Sequence, residues 1–459
     1  MADGFTVLIM AAGRGTRMRS SLPKVLHPVC GKPMLGWVVD AAREAGATRV
    51  LCVTRPGDGV AEGVPKGVEI VEQREGEGTG AAVLAARAQL EATSGAVIVL
   101  SGDQPLIGAD DLRGLIDAHD AEGAAATLLT TDQLDPAGYG RVVRDGDGAV
   151  DRIVETKRPK EATADELSIR EINLGTYAFA AAPLVAALDR VELVGGERYL
   201  PGAVPILRAE GGRIAAHLIA DADAALGVND RAGLMAAEEA AQRRIIDGLA
   251  RAGTTFLQPQ TARIEAGVEV GEDTTIGPGV TLTGATRVGA RCEIGPHTTL
   301  IDTNVDDGAT VLQTYAVEAE IGTDASVGPF AYLRPGALIR EGAKVGTFVE
   351  IKNSEIGPGA KVPHLSYIGD ADVGEDTNLG ASTITANYDG HRKHRTKVGK
   401  SAKTSVHTTL VAPVTVGDRA YTGAGSVINE DVPDGALGIA RPRQTNIEGY
   451  ADRAEENSK

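Results

Sequence analysis

The stretch Ile264–Leu300, IEAGVEVGEDTTIGPGVTLTGATRVGARCEIGPHTTL, returns an aliphatic residue at every sixth position: Ile264, Val270, Ile276, Leu282, Val288, Ile294 and Leu300. Glycine directly follows four of them, as Gly271, Gly277, Gly289 and Gly295. A six-residue beat predicts a parallel β-helix, in which each flat face of the coil turns one aliphatic inward per turn. The beat resumes at Ile321, Val327, Leu333, Ile339, Val345 and Ile351, then at Ile356, Val362 and Ile368. It returns in broken form at Val398, Leu410 and Val416. About half the chain is therefore expected to be a prism-like solenoid, and the other half must be a different fold.

At 459 residues the chain is too long for one ordinary core and reads as two domains. Aromatics make up only 3% while glycines number 58, partly because a narrow coil has no room for rings. The formal charge of −17 argues against nonspecific binding to nucleic acid or anionic membranes. It leaves room for phosphate ligands, which need only a local basic pocket. Cys30, Cys52 and Cys292 are widely spread with no CxxC pair, which suits a reducing cytosol and signals neither metal nor disulfide. Met1–Phe5 leads straight into an apolar strand, and no apolar run approaches the ~20 residues of a membrane span. A soluble cytoplasmic protein is expected.

Residues 1–228 alternate strand-like and helix-like stretches. Apolar runs at Phe5–Met10, Val50–Thr54 and Ala96–Leu100 are separated by helical patterns at Met34–Gly46 and the alanine-rich Ala81–Ala92. That order predicts an α/β domain with a parallel sheet and helices on both faces. Ligands of such sheets bind at the carboxyl ends of strands, which here carry Gly13–Thr16 and Ser101–Asp103, with the Asn173–Gly175 and Asn229 segments following later. Residues 229–253 read as one long helix, with Asn229 as a candidate cap, arginines late and Gly253 as the stop. The expected organisation is a Rossmann-like domain at 1–228, a helical linker at 229–253, the β-helix at 254–440 and a polar, partly disordered tail at 441–459.

After the first strand comes Met10-Ala11-Ala12-Gly13-Arg14-Gly15-Thr16-Arg17-Met18. Met18 stands where a dinucleotide fingerprint needs its third glycine, and there is no GK[ST], so neither the Rossmann nor the Walker mechanism is satisfied. A glycine-rich turn at a strand end still exposes backbone N–H groups to phosphate, with Arg14, Arg17 and Lys24 adding charge. Alone, the glycine turn reads better as a plain strand–helix turn, and Asp103 after an apolar strand is equally a cap.

The run GxGTRM followed by LPKVLHPVxGKPM resembles the sugar-1-phosphate nucleotidyltransferases. The resemblance implies that Met10, Ala11, Ala12, Gly13, Arg17 and Lys24 grip a nucleoside triphosphate, and that Gln73, Gly78 and Thr79 read its base. It places Ser101, Gly102 and Asp103 at a metal-binding strand end, with Asp103 and Asn229 as the magnesium ligands, an oxygen donor set that suits this ion. Gly140, Glu155 and Asn173 match the sugar-holding residues. The implied reaction is attack of a sugar-1-phosphate oxygen on the α-phosphorus, with pyrophosphate leaving, carried mostly by positioning and charge neutralisation.

The coil also carries a polar concentration that a solenoid does not need: Arg334, Glu350, Lys352, His364, Ser366, Tyr367, Asn378, Asn387, Tyr388 and Asp389. Histidine is the natural base near neutral pH. From the GxGTRM loop through Arg441 the whole chain resembles the bacterial bifunctional N-acetylglucosamine-1-phosphate uridyltransferase/glucosamine-1-phosphate acetyltransferase family. The resemblance implies a left-handed β-helix that transfers acetyl from acetyl-CoA to glucosamine-1-phosphate. The first domain would then use UTP to make UDP-N-acetylglucosamine for cell-wall precursors. It gives His364 as general base, Arg334 and Lys352 on the sugar phosphate, and Tyr367 and Asn378 on the sugar. Ala381, Asn387, Tyr388, Ala424 and Arg441 would line the acetyl-CoA site, and a homotrimer would share each acetyl site between coils.

Two departures stand out. In Thr404-Ser405-Val406-His407 the family's serine falls on Val406, and Ser405 is expected to point to the opposite side of its strand. Tyr199-Leu200-Pro201-Gly202 replaces a Tyr-Leu-Thr-Asp, so a helix start near the sugar pocket is expected to be reshaped. The basic loop His391–Arg395 reads as solvated, with contact to CoA phosphates as the alternative. The rival readings are a nucleotidyltransferase of one activity whose coil only assembles the trimer, and a binding or regulatory protein with both sites decayed.

Overall fold

The computed structural model describes residues 4–146, 148–154 and 162–457. Two compact units are present, Met1–Arg244 and Ile245–Lys459, and the boundary falls inside the helix Arg231–Arg251.

In the first unit, Thr6–Met10 is flanked in parallel by Arg49–Thr54 and Ala96–Ser101, and Glu69–Glu72 extends the sheet beyond Arg49–Thr54. The alternation of the strands sorts their side chains. Leu8, Leu51 and Val99 pack on one face with Val83, Leu184 and Val204 of three helices, while Val7, Ile9 and Cys52 pack on the other with Leu35, Val38 and Leu112. Helices therefore cover both faces. The sheet is mixed rather than wholly parallel: Ile172–Ala180 runs antiparallel between Ala96–Ser101 and Ala126–Thr131, and Arg141–Arg144 pairs with Val150–Val154 as a hairpin. This reversal matters for function. It brings the beginning of Ile172–Ala180, with Asn173, to the carboxyl ends of its neighbours, where Asn173 pairs with Thr130.

The second unit is built of three interleaved parallel sheets, each taking every third strand along most of the coil. Ile264, Ile276, Leu282, Ile294 and Leu300 are fully buried and form one continuous core with Ile321, Leu333, Val345, Ile351, Val362 and Ile368. Val270, in the first turn, is only half-buried against that core. The beat breaks where one coil is longer: Tyr367 pairs with Ile384 in the usual step, but Ile384 pairs with Thr409, and the excess includes Asn387–Arg395. Beyond the last strands, residues 441–455 and 457 are exposed, and this segment includes the helix Tyr450–Glu456. No helix among the described residues is long and apolar enough to cross a membrane.

Asn229 does not cap the long helix. Asp230 does, its carboxylate accepting from Gly233 N–H at 2.9 Å, while Asn229 Oδ1 accepts from Arg17 Nη2 at 2.8 Å. An Asn and an Asp side by side compete for the cap, and the Arg17 guanidinium decides between them.

Candidate active sites

At the carboxyl edge of the first sheet, Met10, Val53 and Ser101 stand in register, so the three segments that follow them converge. Between them lies a cavity of about 230 Å³, lined by Met10, Ala11, Ala12, Gly13, Lys24, Gln73, Gly78, Thr79, Ser101 and Asp103 among others. Ala11 N–H donates to Val53 O at 2.9 Å and Gly102 N–H to Met10 O at 3.0 Å, which ties the glycine loop and the Gly102–Asp103 turn to the sheet. Gly15 adopts a left-handed φ of 56°, and a Cβ there would stand 2.7 Å from Lys24 Cβ. Gly15 thus lets the loop close onto Lys24. Gly13 is different: among the described residues no atom lies within 4 Å of an added Cβ, which leaves space in front of it for a ligand.

Lys24 forms an ion pair with Asp103, and Ser101 Oγ donates to the other Asp103 oxygen at 2.5 Å. Val228 N–H donates to the Asp103 carbonyl at 2.9 Å, bringing Asn229 alongside. Asp103 and Asn229 are hard oxygen donors, and magnesium is usually held by one or two such groups plus substrate phosphates and water. The donor chemistry fits that ion. Gln73 is buried and donates from Nε2 to Gly76 O at 3.0 Å; Thr79 Oγ1 accepts from Leu200 N–H at 2.9 Å. The segment with Pro201 is a short 3-10 turn, Leu200–Gly202, running into Ala203–Ala209, and it braces Thr79.

Asn173 N–H donates to Gly140 O at 2.9 Å, and Asn173 Nδ2 donates to Tyr177 at 2.6 Å, so two of the three sugar-holding candidates are neighbours. Glu155, the third, lies outside the described residues. Sequence reading missed Arg55 and Glu197, and passed over Glu77; all three line the cavity. Arg55 directly follows the strand Arg49–Thr54, so the strand-end rule, applied residue by residue, would have found it.

On the coil, the sites fall into two groups on adjoining sheets. Thr347 pairs with His364; Ser382 N–H donates to His364 O at 3.1 Å, His407 N–H to Ala381 O at 2.8 Å, and Gly425 N–H to Val406 O at 3.0 Å. His364, Ala381, Val406 and Ala424 therefore occupy successive rungs of one column. Asn378 lies in the same sheet, bridged to Lys361 and Lys403.

The next sheet carries Tyr332, Glu350 and Tyr367 in register, with Lys352 beside them opposite Gly369. Arg334 donates to Glu350 at 2.9 Å. Asp370 gathers this group: Asn353 Nδ2 donates to it at 2.6 Å, Lys352 Nζ at 3.2 Å, and Asn387 Nδ2 also donates. Burial pushes the Asp370 carboxyl up, but Asn353, Lys352 and Asn387 together hold it below the usual carboxylate range. The Lys393 amine and then Asp370 hold the Lys352 ammonium above its usual pKa, and the same contact holds Lys393 below its own. Arg334 and Lys352 thus present cationic groups suited to a phosphate, with the Lys393 amine beside Lys352.

The basic loop is not simply solvated. Asp389 accepts from His391 N–H, Arg392 N–H and His394, and Arg395 makes a forked pair with Asp372. The sequence reading did not flag Asp370, Asn353 and Lys393 as site residues; they act by holding residues it did name. Val406 lies in a turn and Ser405 just before it, outside any strand, so strand alternation does not apply to them. Val406 is exposed. Tyr388, Ala424 and Arg441 are exposed as well.

A glycine-loop cavity at the strand ends and a hexapeptide coil bearing His364 fit a nucleotidyltransferase joined to a hexapeptide acyltransferase. Residues 7–200 match the MobA-like NTP transferase domain, and residues 267–302 match the bacterial transferase hexapeptide, six repeats. The chain is 46% identical to the bifunctional protein GlmU of Mycolicibacterium vanbaalenii, over 97% of this chain and 92% of that one. It is 46% identical to GlmU of Thermobifida fusca, over 97% and 94%, and 43% identical to GlmU of Halalkalibacterium halodurans, over 99% of each. The chain belongs to the bifunctional GlmU family. It is a bifunctional transferase, an acetyltransferase and a uridyltransferase that together make UDP-N-acetylglucosamine for cell-wall synthesis.

Proposed function

We propose that the two reactions are divided between the sheet cavity and the coil, with the residues named above in these roles. The observation that carries the first half is the convergence of the glycine loop, Lys24, Gln73, Thr79 and Asp103 on one cavity. There Gln73, Gly78 and Thr79 read the uracil, the Ala11–Gly13 backbone and Lys24 hold the triphosphate, and Gly140, Glu155 and Asn173 hold N-acetylglucosamine-1-phosphate. Asp103 and Asn229 hold magnesium, which neutralises triphosphate charge when bound. The sugar phosphate oxygen bonds to the α-phosphorus as the bond to pyrophosphate breaks, and Lys24 faces the charge that develops.

On the coil, Arg334 and Lys352 take the phosphate of glucosamine-1-phosphate, with Tyr367 and Asn378 on the sugar. His364 accepts the proton of the 2-amine as nitrogen bonds to the thioester carbonyl, and the C–S bond then breaks to free coenzyme A. Ala381, Asn387, Tyr388, Ala424 and Arg441 line the acetyl-CoA side. The functional boundaries we propose are 1–228, 229–253, 254–440 and 441–459, in a cytoplasmic enzyme whose three cysteines are buried free thiols. Purified protein given glucosamine-1-phosphate, acetyl-CoA and UTP should release both free thiol and pyrophosphate. Pyrophosphate release from ready-made N-acetylglucosamine-1-phosphate without any thiol release would favour the single-activity reading.

Val406 tests the same point. Its exposed side chain sits between Ala381 and Ala424 in the column that starts at His364. A hydroxyl there would add about one hydrogen bond, roughly 0.5–1.5 kcal/mol. Val406→Ser should therefore raise acetyl transfer several-fold above a measurable wild-type rate. A silent wild type rescued by serine would instead mark the coil as a scaffold.

The assembly we propose is a homotrimer through the coil. Phe330, Phe348 and Leu365, each more than half exposed, form a ridge at the corner between the histidine face and the phosphate face. Phe330 and Phe348 are stacked with ring centroids 5.3 Å apart. A contiguous apolar ridge flanked by both halves of a site suits coverage by a second copy. Phe348→Asp should yield smaller particles by light scattering and lose acetyl transfer while uridylyl transfer persists. An unchanged mass would remove the ridge from the interface.

A further inference from the structure

The nucleotide cavity contains a charge arrangement that the reaction scheme does not use. Glu77 stands at its wall between two arginines: Arg14 Nη2 donates to Glu77 Oε1 at 2.8 Å, and Arg55 Nη2 donates to Oε2 at 2.5 Å. Arg55 is anchored on its other side, where Nε donates to the Ala12 carbonyl at 2.8 Å and its backbone N–H donates to Asp58 at 3.0 Å. Glu77 is in turn fixed by its backbone, whose carbonyl accepts from Arg198 N–H at 2.9 Å. The three side chains span from the glycine loop to the segment entering Gly78-Thr79.

The wall is electrically balanced. Arg14, Lys24 and Arg55 face Glu77, Asp103 and Glu197, and both Lys24 and the two arginines are already paired with carboxylates. A triphosphate tail gains little from arginines that a resident anion already satisfies. The side chains differ in how easily they move. Arg14 is 71% exposed and Glu77 43%, whereas Arg55 is 22% exposed and doubly held. An exposed pair of this kind is weak and readily exchanged.

We propose that Glu77 is a resident counter-ion for Arg14 and Arg55 that the polyphosphate tail of the nucleotide must displace. Glu77 is thereby a determinant of nucleotide affinity rather than of turnover. Arg55 stays on the Ala12 carbonyl and offers its freed Nη2 to the phosphates, Arg14 follows, and the Glu77 carboxylate moves into solvent. Glu77 and Arg55 are positioning and affinity residues, and their role rests on the cavity being the UTP site.

The test uses the full-length enzyme, with pyrophosphate release as readout and tripolyphosphate and uridine as competing probes. Glu77→Gln should lower the KM for UTP and the inhibition constant of tripolyphosphate about three- to fivefold, with kcat and uridine inhibition near wild type. The gain should shrink as ionic strength rises, and it should be reduced but not abolished in the Glu77→Gln/Arg14→Ala double variant, where Arg55 is still released. Glu77→Ala should behave in the same way, and an unchanged kcat for pyrophosphate release checks that the first unit of each variant is folded. An unchanged or raised KM for UTP in both Glu77 variants overturns the proposal. Failure of tripolyphosphate to compete with UTP in the wild type would overturn the cavity assignment itself, and the Glu77 role with it.

Discussion

Replacing His364 with alanine is expected to slow acetyl transfer about 10²–10⁴-fold, the range a positioned general base contributes. His364 ends the strand Lys361–His364 with its side chain exposed, so its loss opens no cavity in the coil. Its backbone is held independently: the His364 carbonyl accepts from Ser366 Oγ at 2.8 Å and from Ser382 N–H at 3.1 Å. The inward aliphatic beside it, Val362, is untouched and fully buried. Loss of rate should therefore appear in kcat, with assembly and thermal stability close to wild type. Thiol release from acetyl-CoA reads one half-reaction, and pyrophosphate release from N-acetylglucosamine-1-phosphate and UTP reads the other, which should be unaffected. A variant within a few-fold of wild type in thiol release would remove His364 from the role of base.

Asp103→Ala should produce the opposite pattern, lowering pyrophosphate release about 10²–10³-fold, as expected when a preorganised electrostatic group is removed from a reacting phosphate. Magnesium affinity measured by titration should fall in parallel, and chelation by EDTA should mimic the variant, with acetyl transfer near wild type in both cases. The structure adds a complication of known sign. The Lys24 side chain is only 13% exposed and is paired with Asp103, so alanine leaves a partly buried ammonium without its partner. Some loss of stability should accompany the loss of rate, and Asp103→Asn, which keeps the size of the group, separates the two. Loss of acetyl transfer in folded Asp103→Ala protein would show that the ion belongs to the other site.

Much of this molecule is legible in one dimension because its core is periodic. An inward aliphatic every six residues suffices to define three flat faces, and the residues that keep the beat from Ile264 to Val416 are buried, Val270 only half so. The glycine loop is legible for a similar reason: Gly13, Gly15 and Lys24 are close in sequence, and the strand before them dictates where they sit. Contacts between distant segments are not written this way. The antiparallel entry of Ile172–Ala180, which carries Asn173 to the ligand edge, depends on pairing with Ala96–Ser101 and Ala126–Thr131, and local propensity does not specify direction. Asp370 reads as an ordinary turn residue until the long coil folds Asn387 and Lys393 back beside Lys352.

The order of residues is enough to specify the repeat, the domain order, the strand-end loop and the identity of the groups able to do chemistry. Tertiary structure alone decided which of those groups meet. Asp230 caps the long helix because Arg17, more than two hundred residues earlier, takes the side chain of Asn229. Glu77 engages Arg14 and Arg55 because parallel strands deliver three unconnected loops to one edge. His364 shares a column with Ala381, Val406 and Ala424 because the coil stacks residues separated by whole turns. The physical reason is the same throughout: backbone periodicity is a local property, whereas charge pairing and register depend on distances that exist only once the chain has closed on itself.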